Sequence, residues 1–112
     1  MRDSNLPEPE LLKVVLQPLL EDFQYWFARS RDFLEKEQLS FMSPDEQMNL
    51  LTRVKQAQEE VNTAKMLFSA TDSKVGIDMA TLMPWHQLLT QCWNVAMRFR
   101  SQQSYEQPED GI

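Results

Sequence analysis

Residues 43–71 read SPDEQMNLLTRVKQAQEEVNTAKMLFSAT, and this stretch decides the fold. Ser43, Pro44 and Glu46 stand where a helix places its N-cap, its first residue and its capping-box glutamate. Beyond this start the apolar residues recur at steps of four and three, as in one buried seam of a helix. The seam consists of Leu50, Val54, Ala57, Val61, Ala64 and Phe68. We therefore predict a helix that begins at Ser43 and ends near Thr71.

The preceding segment predicts a long amphipathic helix near residues 9–38. Pro18 interrupts it, and an interior proline costs roughly 3 kcal/mol, so the helix either bends or restarts there. Because Pro18 lies off the apolar face, we expect a kink that wraps the helix round its core. Ser30 leaves a small gap in that face. The apolar face itself consists of Leu12, Val15, Leu16, Leu19, Leu20, Phe23, Trp26, Phe27, Phe33 and Leu34.

Helical spacing returns between about Pro84 and Gln102 and predicts a third helix. Residues 72–83 are too apolar for a simple solvated loop, so we expect this segment to lie across the bundle. The residues that we expect to face the core are Trp85, Leu88, Leu89, Cys92, Val95, Ala96 and Phe99.

Three amphipathic helices predict an all-α fold, a small helical bundle that spans residues 9–102. The joint between the first two helices, residues 40–43, is short, so these helices should form an antiparallel hairpin. We expect residues 1–8 to be flexible. The polar, acidic residues 103–112 should be flexible too, because they bury too little apolar surface to offset the entropy of ordering.

The composition excludes several classes of protein. A length of 112 residues suits one domain, and two glycines are few for a sheet built on tight turns. A single cysteine forms no internal disulfide, and the N-terminus lacks the apolar run of a signal peptide, so we expect a cytoplasmic protein. No run is long enough to span a membrane. The net charge of −6 disfavours nucleic acid.

Three stretches resemble a family of short cyanobacterial proteins of unknown function. They are LPEPELLKVVLQPLLEDFQYWF (6–27), RVKQAQEEV (53–61) and GIDMATLMPWHQLLTQCW (76–93). The resemblance covers about residues 4–100. It implies a photosynthetic bacterium as the source and a soluble helical protein, and it supplies no activity and no site residues.

The residues that could support catalysis or metal binding favour a structural interpretation. His86 is the single histidine and lies about 120° round its helix from Cys92, so the two are poorly placed to bind one ion. Cys92 falls within an apolar stripe, which suits a packed thiol better than a nucleophile. The acidic pairs lie on predicted polar faces or at a cap, and the usual enzyme motifs are absent. We therefore expect no cofactor and no enzyme activity.

A second apolar line runs beside the main stripe of the third helix, and a three-helix core need not cover it. Exposed patches of this kind tend to mark partner sites, unless residues 72–83 cover this one. The candidate partner surface consists of Leu82, His86, Trp93 and Met97, with Tyr25 from the first helix. We expect a protein-interaction module that self-associates or docks to a protein. The alternative is a binding domain for an apolar or planar small ligand held between helices.

Overall fold

The computed structural model describes the backbone of residues 8–70 and 79–106 and the side chains of residues 14–70 and 80–103. Three helices make up this part: α1 (Glu8–Lys36), α2 (Pro44–Ala70) and α3 (Met79–Glu106), with no strand among the described residues. The predicted all-α bundle is therefore confirmed. Residues 1–7, 71–78 and 107–112 lie outside the description, and so do the predictions made for them.

The start of α2 follows its predicted capping box. The backbone N–H of Ser43 donates to Glu46 Oε1 at 2.9 Å, and the backbone N–H of Glu46 donates to Ser43 Oγ at 3.0 Å. The N–H of Gln47 then donates to the carbonyl of Ser43 at 2.9 Å. Two N–H groups that the first turn would leave without partners are thus satisfied by side chains, which fixes where α2 begins.

Gln47 fastens the end of α1 to the start of α2. Its Nε2 donates to the carbonyls of Leu34 at 3.0 Å and Glu37 at 2.6 Å, and its Oε1 accepts from the backbone N–H of Leu39 at 3.1 Å. One half-buried amide thereby satisfies three backbone groups of the joint. Leu39 itself is buried in the core. The helix α1 ends at Lys36, two residues before the predicted end at residue 38.

Polar contacts between α1 and α2 define an antiparallel hairpin, as predicted. Gln24 Nε2 donates to Asn62 Oδ1 at 2.7 Å, and Arg31 Nη1 donates to Gln58 Oε1 at 3.1 Å. An ion pair joins Lys55 to Glu35 across 3.7 Å. Residue numbers rise along α1 as their partners' numbers fall along α2. Pro18 is exposed within an uninterrupted α1, so the helix does not restart there.

The buried core draws on all three helices and on the α1–α2 joint. Every predicted seam residue of α2 is buried except Ala64, which is half-buried, and Leu51 is buried as well. Two predictions for α1 were wrong: Val15 is 55% exposed and Trp26 is 37% exposed. The core consists of Leu16, Leu20, Phe23, Phe27, Leu34, Leu39, Leu50, Leu51, Val54, Ala57, Val61, Phe68, Trp85, Leu89 and Cys92.

The third helix is longer at both ends than the prediction of Pro84 to Gln102. It begins at Met79 and contains Pro84, and it continues to Glu106. The physical reason at the first end is Leu82, which packs half-buried against the core three residues before buried Trp85, so the stripe continues through the proline. Residues 79–83 are therefore helical, and the prediction that 72–83 lies across the bundle is wrong for them.

We expect Val61→Asp to lower the free energy of unfolding by at least about 3 kcal/mol, because it places an unpaired charge at a fully buried position. Chemical denaturation followed by far-ultraviolet circular dichroism measures the loss. Glu59→Ala, on the exposed side of the same helix, is the control and should change stability by no more than about 0.5 kcal/mol. Equal losses in the two variants would contradict the orientation of α2.

We also expect Gln47→Ala to cost about 1 to 3 kcal/mol, since it leaves three backbone groups of the joint without their partner. Gln56→Ala removes the same side chain from an exposed site of α2, where among the described residues its amide hydrogen-bonds Glu60, and should cost far less. Urea titration of both variants tests this. A loss for Gln47→Ala no larger than that for Gln56→Ala would show that the amide does not fasten the joint.

Candidate functional site

Aromatic rings meet across the seam between α1 and α3 at three levels. Phe23 packs edge-on against Trp85 with ring centroids 5.6 Å apart. Farther along the seam, Trp26 meets Trp93 at 5.8 Å, and Phe33 meets Phe99 at 5.1 Å. Residue numbers rise together in these pairs, so α1 and α3 run parallel. Whole rings at the contact points keep the two helices well apart, since interaxial distance depends on the side chains at the contact.

An apolar groove lies between the second and third ring pairs, and we call it the α1–α3 groove. The residues there include Ser30 and Ala96, whose small side chains do not fill the space that the rings hold open. The groove has a volume of about 470 Å³. It is lined by Trp26, Arg29, Ser30, Phe33, Leu34, Leu50, Cys92, Trp93, Val95, Ala96, Met97 and Arg100.

Large apolar side chains stand exposed at one end of this groove. Tyr25, Trp26, Trp93 and Met97 have exposed fractions of 53%, 37%, 42% and 56%. Tyr25 packs edge-on against Trp26 at 5.0 Å, and Trp26 in turn meets Trp93. The three rings are therefore in continuous contact across α1 and α3, and Met97 lies one helical turn beyond Trp93 and lines the same groove. We call these four residues the aromatic surface.

The charge around the groove is positive although the chain is acidic overall. Arg29 and Arg100 line it, and no Asp or Glu does. The Arg29 guanidinium lies 5.6 Å from the ring centre of Tyr25, and its Nη1 donates to the Tyr25 hydroxyl at 3.3 Å. Among the described side chains, Arg100 makes no hydrogen bond, ion pair or ring contact. No described side chain therefore neutralises its charge.

Cys92 lies in the core beside the groove with 5% of its surface exposed. Burial raises the pKa of its thiol, while a hydrogen bond with the Ser30 side chain and the charge of Arg53 act in the opposite direction. A raised pKa favours the neutral thiol, whereas a nucleophilic cysteine needs a lowered one. Cys92 is thus a packed thiol, as the sequence predicted.

The structure divides the predicted partner surface. Tyr25, Trp93 and Met97 belong to the aromatic surface. Leu82 instead packs half-buried against the core. His86 is exposed near the start of α3, about two turns before Trp93, and does not line the groove.

Sequence reasoning missed Trp26 and the two arginines as members of this site. Trp26 follows the helical period of the core face, so periodicity alone assigned it to the interior. The sequence signal for the groove was a pair of small residues, Ser30 on α1 and Ala96 on α3, both of which line it. That match becomes visible only once the parallel register of α1 and α3 is known.

Other clefts in the described part of the chain have a different character. One cleft between α2 and α3 is lined by Asp45, Glu46, Arg53 and Arg98 together with amide side chains. Another has a volume of about 750 Å³, and Glu59 and Glu60 line it together with Ala64, Leu67, Pro84 and Trp85. Within the described ranges, no group of three metal-ligating side chains comes together, and no helix is long and apolar enough to cross a membrane. We take the α1–α3 groove as the candidate site because two arginines and no carboxylate line it, whereas carboxylates line both other clefts.

Comparison with known proteins identifies a family. No curated protein and no solved structure matches the chain. A family model described as "protein of unknown function (DUF2605)" matches residues 6–101, which is most of the chain. The protein therefore belongs to this DUF2605 family.

Proposed function

We propose that this protein is a non-catalytic protein-interaction module that docks, to a protein partner or to a second copy of itself, through the aromatic surface. The observation that carries the proposal is the continuous contact of Tyr25, Trp26 and Trp93, each more than a third exposed, with exposed Met97 beside them. Tryptophan and tyrosine are the residues most often found at the energetic centre of protein interfaces.

The cost of exposing these side chains supports this reading. Burying one large apolar side chain gains roughly 1.5 to 3 kcal/mol, and a surface that leaves several in water forgoes part of that gain. Scattered apolar residues need no explanation, but these four adjoin one another on two helices. A partner that covers the patch would recover the free energy without any change of fold.

The rest of the proposal follows from charge and chemistry. A net charge of −6 repels phosphate backbones, so the partner is a protein rather than a nucleic acid. The raised pKa of Cys92 and the position of His86, away from the groove, support a binding role over catalysis. The single cysteine supports a cytoplasmic location, and the resemblance of the sequence supports a cyanobacterial source.

The double variant Trp93→Ala, Met97→Ser should weaken association at least about tenfold, equivalent to about 1.4 kcal/mol, and leave the melting temperature close to that of the parent. Light scattering and thermal melting on the same samples measure self-association and stability. The matched control is Met48→Ser, Met66→Ser, which removes two methionines that are 60% and 70% exposed on α2. The control should associate like the parent.

Light scattering also decides between the two kinds of partner. A parent that is dimeric or larger identifies a second copy. If the parent is monomeric, the same variants are compared as baits in extracts of the source cell, and a protein retained by the parent and the control but lost by the double variant identifies the partner. A monomeric parent with no such protein, and a double variant that melts far lower, would assign Trp93 and Met97 to the core and overturn the proposal.

A further inference from the structure

We infer that the α1–α3 groove binds a small amphiphilic carboxylate, a planar or alkyl apolar body with one anionic group that pairs with Arg100. The inference goes beyond the docking function and does not depend on it. It stands on the dimensions and charge of the groove, whereas the docking function stands on the exposure of the aromatic surface.

The length of the groove favours a small molecule over a helix of another protein. The Trp26–Trp93 pair lies at one end and the Phe33–Phe99 pair at the other. Trp26 and Phe33 are seven positions apart on α1, a rise of about 10 Å, so the open stretch between the ring pairs is no longer than that. A docked helix usually presents apolar residues over two or more turns and would pass over both ring pairs. A bicyclic ring or a medium-length alkyl chain fits between them.

The volume and walls agree with a ligand site. About 470 Å³ lies within the range of small-molecule pockets, which in helical bundles occur between helices. Phe33, Leu34 and Leu50 supply apolar walls on the α1–α2 side. Val95 and Ala96 supply them on α3. The polar groups are few: the Ser30 hydroxyl, the Cys92 thiol and two guanidinium groups.

The charge identifies the polar end of the ligand. Arg29 already stacks on Tyr25 and Trp26 and donates to the Tyr25 hydroxyl. Arg98, two residues from Arg100, lies over the Phe41 ring at 4.5 Å and lines a different cleft. Arg100 lines the α1–α3 groove and engages no other described side chain. A planar guanidinium pairs with a carboxylate through two parallel hydrogen bonds, so an anionic group is the complementary partner.

The first test uses naphthoate as the probe, with naphthamide as its uncharged counterpart, in isothermal titration calorimetry on the full chain. Naphthoate should bind saturably at one site, and naphthamide should bind at least about tenfold more weakly, because it lacks the charge. Arg100→Gln should weaken the binding of naphthoate by about the same factor, and it should leave the affinity for naphthamide within about twofold of that of the parent. Arg98→Gln also removes one positive charge from the chain, and it should change the affinity for either compound by no more than about twofold.

A second pair of variants tests the place of binding. Ala96→Leu and Ser30→Val each add side-chain volume to the groove and should abolish binding of both probes, while circular dichroism confirms that the helices are retained. The double variant Met48→Ser, Met66→Ser, altered on α2, should bind like the parent.

Three results would overturn the inference: no saturable naphthoate binding, equal losses in the Arg98 and Arg100 variants, or full binding in folded Ala96→Leu and Ser30→Val proteins. These failures are distinct from failure of the docking function. Filling the groove leaves Tyr25, Trp26, Trp93 and Met97 in place on the surface. Partner capture can therefore survive when ligand binding does not.

Discussion

The width of the seam between α1 and α3 is the constraint on which the candidate site depends. Three edge-on ring pairs occupy this seam, and an edge-on aromatic contact holds its centroids at about 5 to 7 Å. Side chains of this size prevent the helix backbones from closing on one another. Where Ser30 and Ala96 replace rings, the space stays open and becomes the groove. The site is thus a consequence of core packing, and no loop is needed to build it.

The close packing of α1 against α2 provides the rigid wall of that groove. Val54, Ala57 and Val61 bury small side chains along the middle of α2, which lets the α1 aromatic residues approach closely. The capping box and the Gln47 amide then fix the register of the two helices at the joint. Leu34 and Leu50, one from each helix of this hairpin, line the groove. A well-ordered hairpin consequently gives the groove a defined shape.

Much of the fold could be predicted from sequence because its signals are local. The capping box of α2 and the seam from Leu50 to Phe68 can each be recognised from residues that are close together in the sequence. The limits of α3 were misjudged because Pro84 suggested a beginning, whereas burial of Leu82 carries the helix through it. The site could be predicted only in part. Trp93, Met97 and Tyr25 could be predicted because they lie outside the apolar stripes that form the core. The contribution of Trp26 depends on the register between helices that are distant in sequence.

The register of the α1–α3 seam is tested most directly by nuclear Overhauser effects between aromatic ring protons of the unmodified chain in solution. We expect cross-peaks between Trp26 and Trp93, between Phe33 and Phe99, and between Phe23 and Trp85. These would place all three ring pairs across one parallel seam. Absence of the Trp26–Trp93 and Phe33–Phe99 cross-peaks in a well-resolved spectrum would mean that α3 packs in another position, and the groove as described here would not exist.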